Sequence, residues 1–190
     1  MKRLSIFVSG NGTNLQRIAE YFKGKKDVEI VNVVCNNPKA YAIERAKKLG
    51  IPVRMVNRQE FNSPEFTQEM ADLKLDLIVL AGFLWKIPVC LVQAYPRQIV
   101  NIHPALLPKY GGKGFYGEHV HEAVVAAKEH FSGITIHYVN EIYDNGEIIL
   151  QAYVALDEKE TPDSLAAKIH QLEQAYFPVV IEQILRYALI

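Results

Sequence analysis

The sequence predicts an α/β fold, with a mostly parallel sheet, helices on both faces and an antiparallel extension in the C-terminal part. Two observations predict it. Over the first hundred residues, short apolar runs alternate with helix-patterned segments, the signature of βαβ units. Beyond Lys128 the pattern changes to two strand-like runs, Gly133–Val139 and Glu147–Ala155, joined by a turn around Asp144-Asn145-Gly146. Such a pair is expected to add an antiparallel hairpin to the sheet.

In chain order, Leu4–Val8, Ile30–Cys35, Val53–Val56, Leu77–Ala81 and Ile99–Ile102 are the expected parallel strands. Glu118–Lys128 reads as a further helix. In the tail from Pro162 to Ala188, Leu165, Ile169, Leu172, Tyr176 and Val180 recur at helical spacing behind the start signal Thr161-Pro162-Asp163. That helix is expected to pack across the sheet. Lys109–Gly117, with four glycines, is the expected mobile loop. There is no internal repeat, low-complexity stretch or long polar linker, so residues 1–190 are expected to form one domain.

At 190 residues and 49% hydrophobic, the chain can bury one sizeable core. Lys plus Arg equals Asp plus Glu at 21 each, so no basic field advertises a nucleic acid or an anionic membrane, and neither partner is expected. Cys35 and Cys90 lack Cys-x-x-Cys spacing and read as free thiols of a reducing compartment. After Lys2 and Arg3 the apolar stretch is only Leu4–Val8 and runs into a glycine loop, which is a first strand and not a signal peptide. The longest uncharged apolar run, Leu77–Trp85, is too short to span a bilayer. A cytoplasmic protein is the expectation.

The most informative run is Asn101-Ile102-His103-Pro104-Ala105-Leu106-Leu107-Pro108. Residues two apart in a strand share a face, so Asn101 and His103 point the same way at the end of a buried strand. Pro104 and Pro108 stiffen the exit. A carboxylate such as Asp144 beside the imidazole would raise its pKa and make it a charged donor, with the Asn101 amide as a second donor. Two donors and a base around one pocket suit the addition of an amine to a carbonyl. The competing reading is a polar pair satisfying backbone groups at a strand end.

Ser9-Gly10-Asn11-Gly12-Thr13-Asn14 joins the first strand to a helix pattern over Leu15–Phe22. Its backbone amides would face an anion over a helix N-terminus, and a single phosphate monoester is the natural guest. It lacks the P-loop lysine, and Leu15 stands where a dinucleotide fingerprint needs its third glycine. An ordinary turn into a capped helix is the alternative. Leu80 to Pro88 leaves a strand through Gly82 into a bulky apolar loop, suited either to a flat heteroaromatic ligand or to core packing. His119 and His121 have a ligand-like spacing, but no third ligand stands at a supporting interval and no metal is expected. His130, His137 and His170 show no usable pattern.

Taken together, these stretches resemble the phosphoribosylglycinamide formyltransferase family (glycinamide ribonucleotide transformylases) of folate-dependent formyltransferases, over nearly the whole chain. Ser9–Leu15, Ala81-Gly82-Phe83, Asn101-Ile102-His103-Pro104 with Leu106-Leu107-Pro108, and Asp144-Asn145-Gly146 with Ile149-Leu150-Gln151 occur in the family's order and approximate spacing. The resemblance implies a Rossmann-like fold. It also implies formyl transfer from 10-formyltetrahydrofolate, as co-substrate and without a metal, to the amine of 5-phosphoribosylglycinamide in purine (IMP) biosynthesis.

By motif, Asn101, His103 and Asp144 become the catalytic three, and Gly12, Thr13 and Asn14 hold the substrate phosphate. Glu173 meets the amine end of that substrate, while Leu84, Trp85, Lys86 and Ile87 line the folate site together with Asn101. Small molecules are the implied partners, and the oligomeric state is not implied. The chain departs from many members in a longer Gly111–Gly117 loop, and in Pro64 where some place a folate-contacting Arg.

The expected mechanism is direct amine attack on the formyl carbon, with His103 as imidazolium and Asn101 stabilising the oxyanion, and Asp144 raising the His103 pKa. Related enzymes set the competitors. Methionyl-tRNA formyltransferases add a C-terminal domain and usually carry Arg-Gly where this chain has Lys109-Tyr110-Gly111-Gly112. Deformylases add an N-terminal regulatory domain, whereas here the first strand starts almost at Met1. A formyltransferase acting on an amino sugar nucleotide is a closer alternative, and a non-catalytic phosphate-binding module is the alternative from another class.

Overall fold

A computed structural model describes residues 1–112 and 114–187 of the chain. Lys113, inside the loop expected to be mobile, and Ala188, the expected end of the last helix, lie outside the described residues. The elements are β1 (Lys2–Val8), α1 (Thr13–Phe22), β2 (Val28–Cys35), α2 (Ala42–Lys48), β3 (Val53–Met55), α3 (Arg58–Phe61) and α4 (Pro64–Asp72). They continue with β4 (Leu77–Leu80), α5 (Val89–Ala94), β5 (Ile99–His103), α6 (Glu118–Ala126), β6 (Phe131–Tyr138), β7 (Ile148–Ala155) and α7 (Pro162–Tyr187).

The strands form a seven-stranded sheet in the order β3-β2-β1-β4-β5-β6-β7. β3 through β5 are parallel; β6 runs antiparallel to β5, and β7 antiparallel to β6. The central strands alternate between two cores. Leu4, Ile6, Val8, Leu77 and Val79 face a core completed by α1, α2, α6 and α7. Phe7, Ile78 and Leu80 face the other, built from Phe61, Phe66, Met70 and Leu91 of α3, α4 and α5. Because both faces are covered, these strands read in sequence as near-continuous apolar runs, with Ser5 of β1 bonded to Asn32 of β2.

α7 runs through Pro178 without ending there. Proline has no N–H to give the Gln174 carbonyl one turn earlier, and Arg17 Nε of α1 donates to that oxygen at 3.1 Å instead. The helix that carries Glu173 is thereby fixed against the helix that follows the glycine loop. The chain leaves β1 for β2 on one side and β4 for β5 on the other, so the strand order reverses between β1 and β4. The crevice outside the carboxyl ends of strands at such a point is where open α/β sheets bind ligands.

Candidate active site

A cleft of about 480 Å³ opens there, lined by the glycine loop, the segment Leu80–Ile87, the end of β5, the Val139–Asp144 stretch and Glu173 of α7. All the site residues singled out from the sequence line it: Gly12, Thr13, Asn14, Leu84, Trp85, Lys86, Ile87, Asn101, His103, Asp144 and Glu173.

At one end, the loop after β1 turns into α1 with Gly12 at φ 79° as the residue before the first helical turn. A side chain at Gly12 would be strained there and would come within 2.7 Å of Ala42 Cβ. The loop is held from α2: Arg45 Nε donates to the Asn11 carbonyl at 2.9 Å and Nη2 to Asn11 Oδ1 at 2.9 Å. Asn37 Nδ2 donates to the Ser9 carbonyl at 3.0 Å. Ser9 Oγ accepts from the Leu84 N–H at 2.9 Å, tying this loop to the opposite wall.

Asn14 does not offer its side chain to the cleft as a free donor. Its Nδ2 donates to Glu173 Oε2 at 3.0 Å in a buried pair. Glu173 is 8% exposed, so it is no solvated helix residue. Burial pushes its carboxyl above the usual range, against the opposing pull of the Asn14 amide and His170.

In the middle, β5 presents Asn101 and His103 on one side, as period two requires. Register places His137 of β6 directly opposite Asn101. His137 Nδ1 lies 2.9 Å from the Tyr138 carbonyl oxygen, and its Nε2 lies 3.1 Å from Asn101 Nδ2. His103 Nε2–H donates to the Tyr110 carbonyl at 2.7 Å, and its Nδ1 stands 3.6 Å from Asp144 Oδ2. Asp144 Oδ1 is 3.7 Å from His137 Nε2, and Oδ2 accepts from the Gly112 N–H at 2.9 Å.

Tyr110 and Asp144 both have left-handed backbones, at φ 55° and 49°. Such residues each cost on the order of 1 kcal/mol, which the surrounding contacts must offset. Tyr110 and Gly112 are therefore built into the site wall, although they belong to the glycine-rich loop. Gly146 closes the Asp144 turn against the Tyr138 carbonyl, where any side chain would collide.

The electrostatics correct one sequence expectation. Asp144 does raise the His103 pKa, but burial outweighs it, and the imidazole lies below the usual histidine range. Taking an imidazolium out of water costs more than one carboxylate at 3.6 Å returns. Burial pushes Asp144 up, but its contacts with His137, His103 and the Gly112 N–H prevail and hold it below the usual carboxylate range.

Sequence reasoning missed His137, Tyr110 and Arg45. His137 carries a signal only once strands β5 and β6 are in register; Tyr110 acts through its backbone carbonyl; and Arg45 lies a helix away from the loop it holds. His119 and His121 do not converge. Two residues apart on α6, they diverge, with His119 exposed beside Glu122 and His121 buried.

A glycine loop at a helix N-terminus, an apolar wall and a polar trio at a strand switch point are the layout of a small group-transfer site, and comparison with known proteins says which. The chain belongs to the formyl transferase family, whose model matches residues 2–181. A "Phosphoribosylglycinamide formyltransferase" of Bacillus subtilis is 37% identical over 97% of this chain and 95% of its own length. Over 98% of this chain, the crystal structure of phosphoribosylglycinamide formyltransferase from Bacillus halodurans superposes with a TM-score of 0.88 at 34% identity, covering 97% of that chain. A chloroplastic protein of the same name from Arabidopsis thaliana is 40% identical over 94% of this chain, which spans only 64% of that relative's length. With the two bacterial proteins, then, this chain shares nearly its full length.

Proposed function

We propose that this chain, as a single domain of residues 1–190, transfers the formyl group of 10-formyltetrahydrofolate to the amine of 5-phosphoribosylglycinamide. The products are formyl-phosphoribosylglycinamide and tetrahydrofolate, a step of purine (IMP) biosynthesis. One observation carries the reading: Asn101, His103 and Asp144 converge between a glycine loop at a helix N-terminus and an apolar wall.

The acceptor phosphate sits against the backbone amides of Gly12, Thr13 and Asn14 at the start of α1. Glu173, braced by Asn14, meets the acceptor near its amine. The pteridine lies along Leu84–Ile87, with Asn101 reaching the formyl group from β5.

The amine lone pair attacks the formyl carbon, and the carbonyl electrons move to oxygen. Asn101 Nδ2 and His103 stabilise that oxyanion. Before the reaction His103 leans to its neutral form. Negative charge growing on the formyl oxygen favours the imidazolium, and the proton leaving the attacking nitrogen reaches His103 by way of Asp144 and water. When the carbon–N10 bond breaks, the departing folate nitrogen takes that proton, so the reaction consumes and releases none.

Small-molecule substrates, no nucleic-acid or membrane partner, no metal and a cytoplasmic location complete the reading. The even charge balance and the two free thiols support it.

The test is a spectrophotometric assay of folate product with and without phosphoribosylglycinamide, alongside His103→Ala. Product that needs the amine and is lost in the variant supports the reading. Product without the amine indicates a hydrolase, and activity only with an amino sugar nucleotide reassigns the acceptor.

A further inference from the structure

Three buried side-chain atoms have no hydrogen-bond partner among the described residues: Asn36 Oδ1, Ser132 Oγ and His121 Nδ1. Of these residues His121 alone lines the cleft, and the proposed reaction leaves it unused. It stands in the first turn of α6, whose Val120 and Val124 are buried in the core beside it. Only 6% of His121 is exposed, and no hydrogen bond joins either ring nitrogen to a described residue. A leucine would fill such a place without desolvating a polar atom, so an imidazole there calls for a partner that the chain itself does not supply.

The ring's surroundings fix its chemistry. Burial, then the charges of His170 and His103, push the His121 pKa below the usual histidine range, so the ring is neutral at neutral pH and carries one N–H. A sealed N–H with no acceptor is rarer than a sealed lone pair, which puts the proton on Nε2. With Nδ1 sealed, Nε2 is the polar atom left to meet the cleft. His170 stands one turn before Glu173 on α7, so the ring lies within electrostatic reach of both the Glu173 side of the cleft and His103 of the trio.

We infer that His121 is a further acceptor-binding residue, whose Nε2–H donates to the carbonyl oxygen of the acceptor's glycinamide group. The inference rests on the proposed reaction, which brings the glycinamide amine between Glu173 and the trio. The carbonyl is one methylene away from that amine. A donor held there fixes the amide, and with it the direction of the amine lone pair toward the formyl carbon.

The experiment compares wild type, His121→Leu and His121→Gln by steady-state kinetics and follows the ring nitrogens of isotope-labelled histidine by NMR. The His121 signals are those that His121→Leu lacks. Glutamine carries an amide N–H about as far from the backbone as Nε2. Acceptor KM is expected to rise about three- to ten-fold in the leucine variant, with donor KM unmoved and partial recovery in the glutamine variant. In the spectra of wild type, Nε2 should carry the proton and Nδ1 should not. Adding 5-phosphoribosylglycinamide should shift the Nε2 signal, and adding inorganic phosphate should not. A proton on Nδ1, a ring signal indifferent to the acceptor, a glutamine variant no better than leucine, or equal KM changes for both substrates would overturn the contact. A wild-type protein that transfers no formyl yet shows the acceptor-dependent Nε2 shift would overturn the proposed reaction and leave the contact standing.

Discussion

Asn14, the second residue of α1, donates its side-chain amide to Glu173, 159 residues later on α7, at 3.0 Å in a buried pair at the edge of the cleft. The pair joins the loop proposed to hold phosphate to the carboxylate proposed to meet the amine, so the two ends of the acceptor are read by one braced unit. Glu173→Gln keeps the shape and removes the charge. Acceptor KM should rise at least tenfold with donor KM unchanged, in line with losing a charged hydrogen bond at a buried site. Steady-state kinetics with each substrate varied in turn checks this.

The same substitution should alter stability with a definite sign. The folded-state pKa of Glu173 is raised, so the fold binds its proton more tightly than the unfolded chain does. Its contribution is complete below the unfolded value of about 4.3 and is lost as pH rises through the folded value. Thermal melts at neutral pH should therefore find Glu173→Gln at least as stable as wild type, and a clear loss there would contradict the assigned direction.

Removing one oxyanion donor should be far more costly to rate than to fold. Asn101→Ala and His103→Ala are each expected to lower kcat about 100- to 1000-fold. Circular dichroism and melting should show both proteins folded. Near-normal turnover in either would remove that residue from the mechanism.

Asp144→Asn tests the electrostatic link directly. Without the carboxylate, burial acts on His103 with less opposition, and its imidazole titration, followed by NMR, should move to lower pH. An unmoved or raised titration would show that Asp144 acts only by position.

Acid should unfold the protein partly through two histidines. Burial depresses the pKa of both His103 and His121. Such groups contribute stability above the unfolded value of about 6.5, and it is lost as pH falls through their folded values. His121 Nδ1 is buried without a hydrogen-bond partner among the described residues, so His121→Leu should flatten the fall in melting temperature below about pH 6.5.

Much of the fold is legible in the sequence. Strands buried on both faces announce themselves as apolar runs, and Asn101 and His103 stand out because prolines stiffen the end of such a run. β2 starts at Val28, ahead of the expected Ile30, where the charged Glu29 interrupts the apolar run. The direction of the His103 shift was misread because composition shows a neighbouring charge more readily than the depth of burial. His137 and Arg45 are invisible for another reason. Each owes its place to register or to hydrogen bonds across elements, and nothing in its local sequence marks it.

The link from Ser9 to Leu84, together with the order β1-β4-β5, has a last consequence. The loop leaving β1 and the trio at the end of β5 are separated by two inter-strand steps, about 10 Å, in a sheet that cannot stretch. On the proposed function that span sets a length: an acceptor is expected to react when its anion and its nucleophile match it, and one of the right chemistry but the wrong length is expected to bind without reaching the formyl carbon.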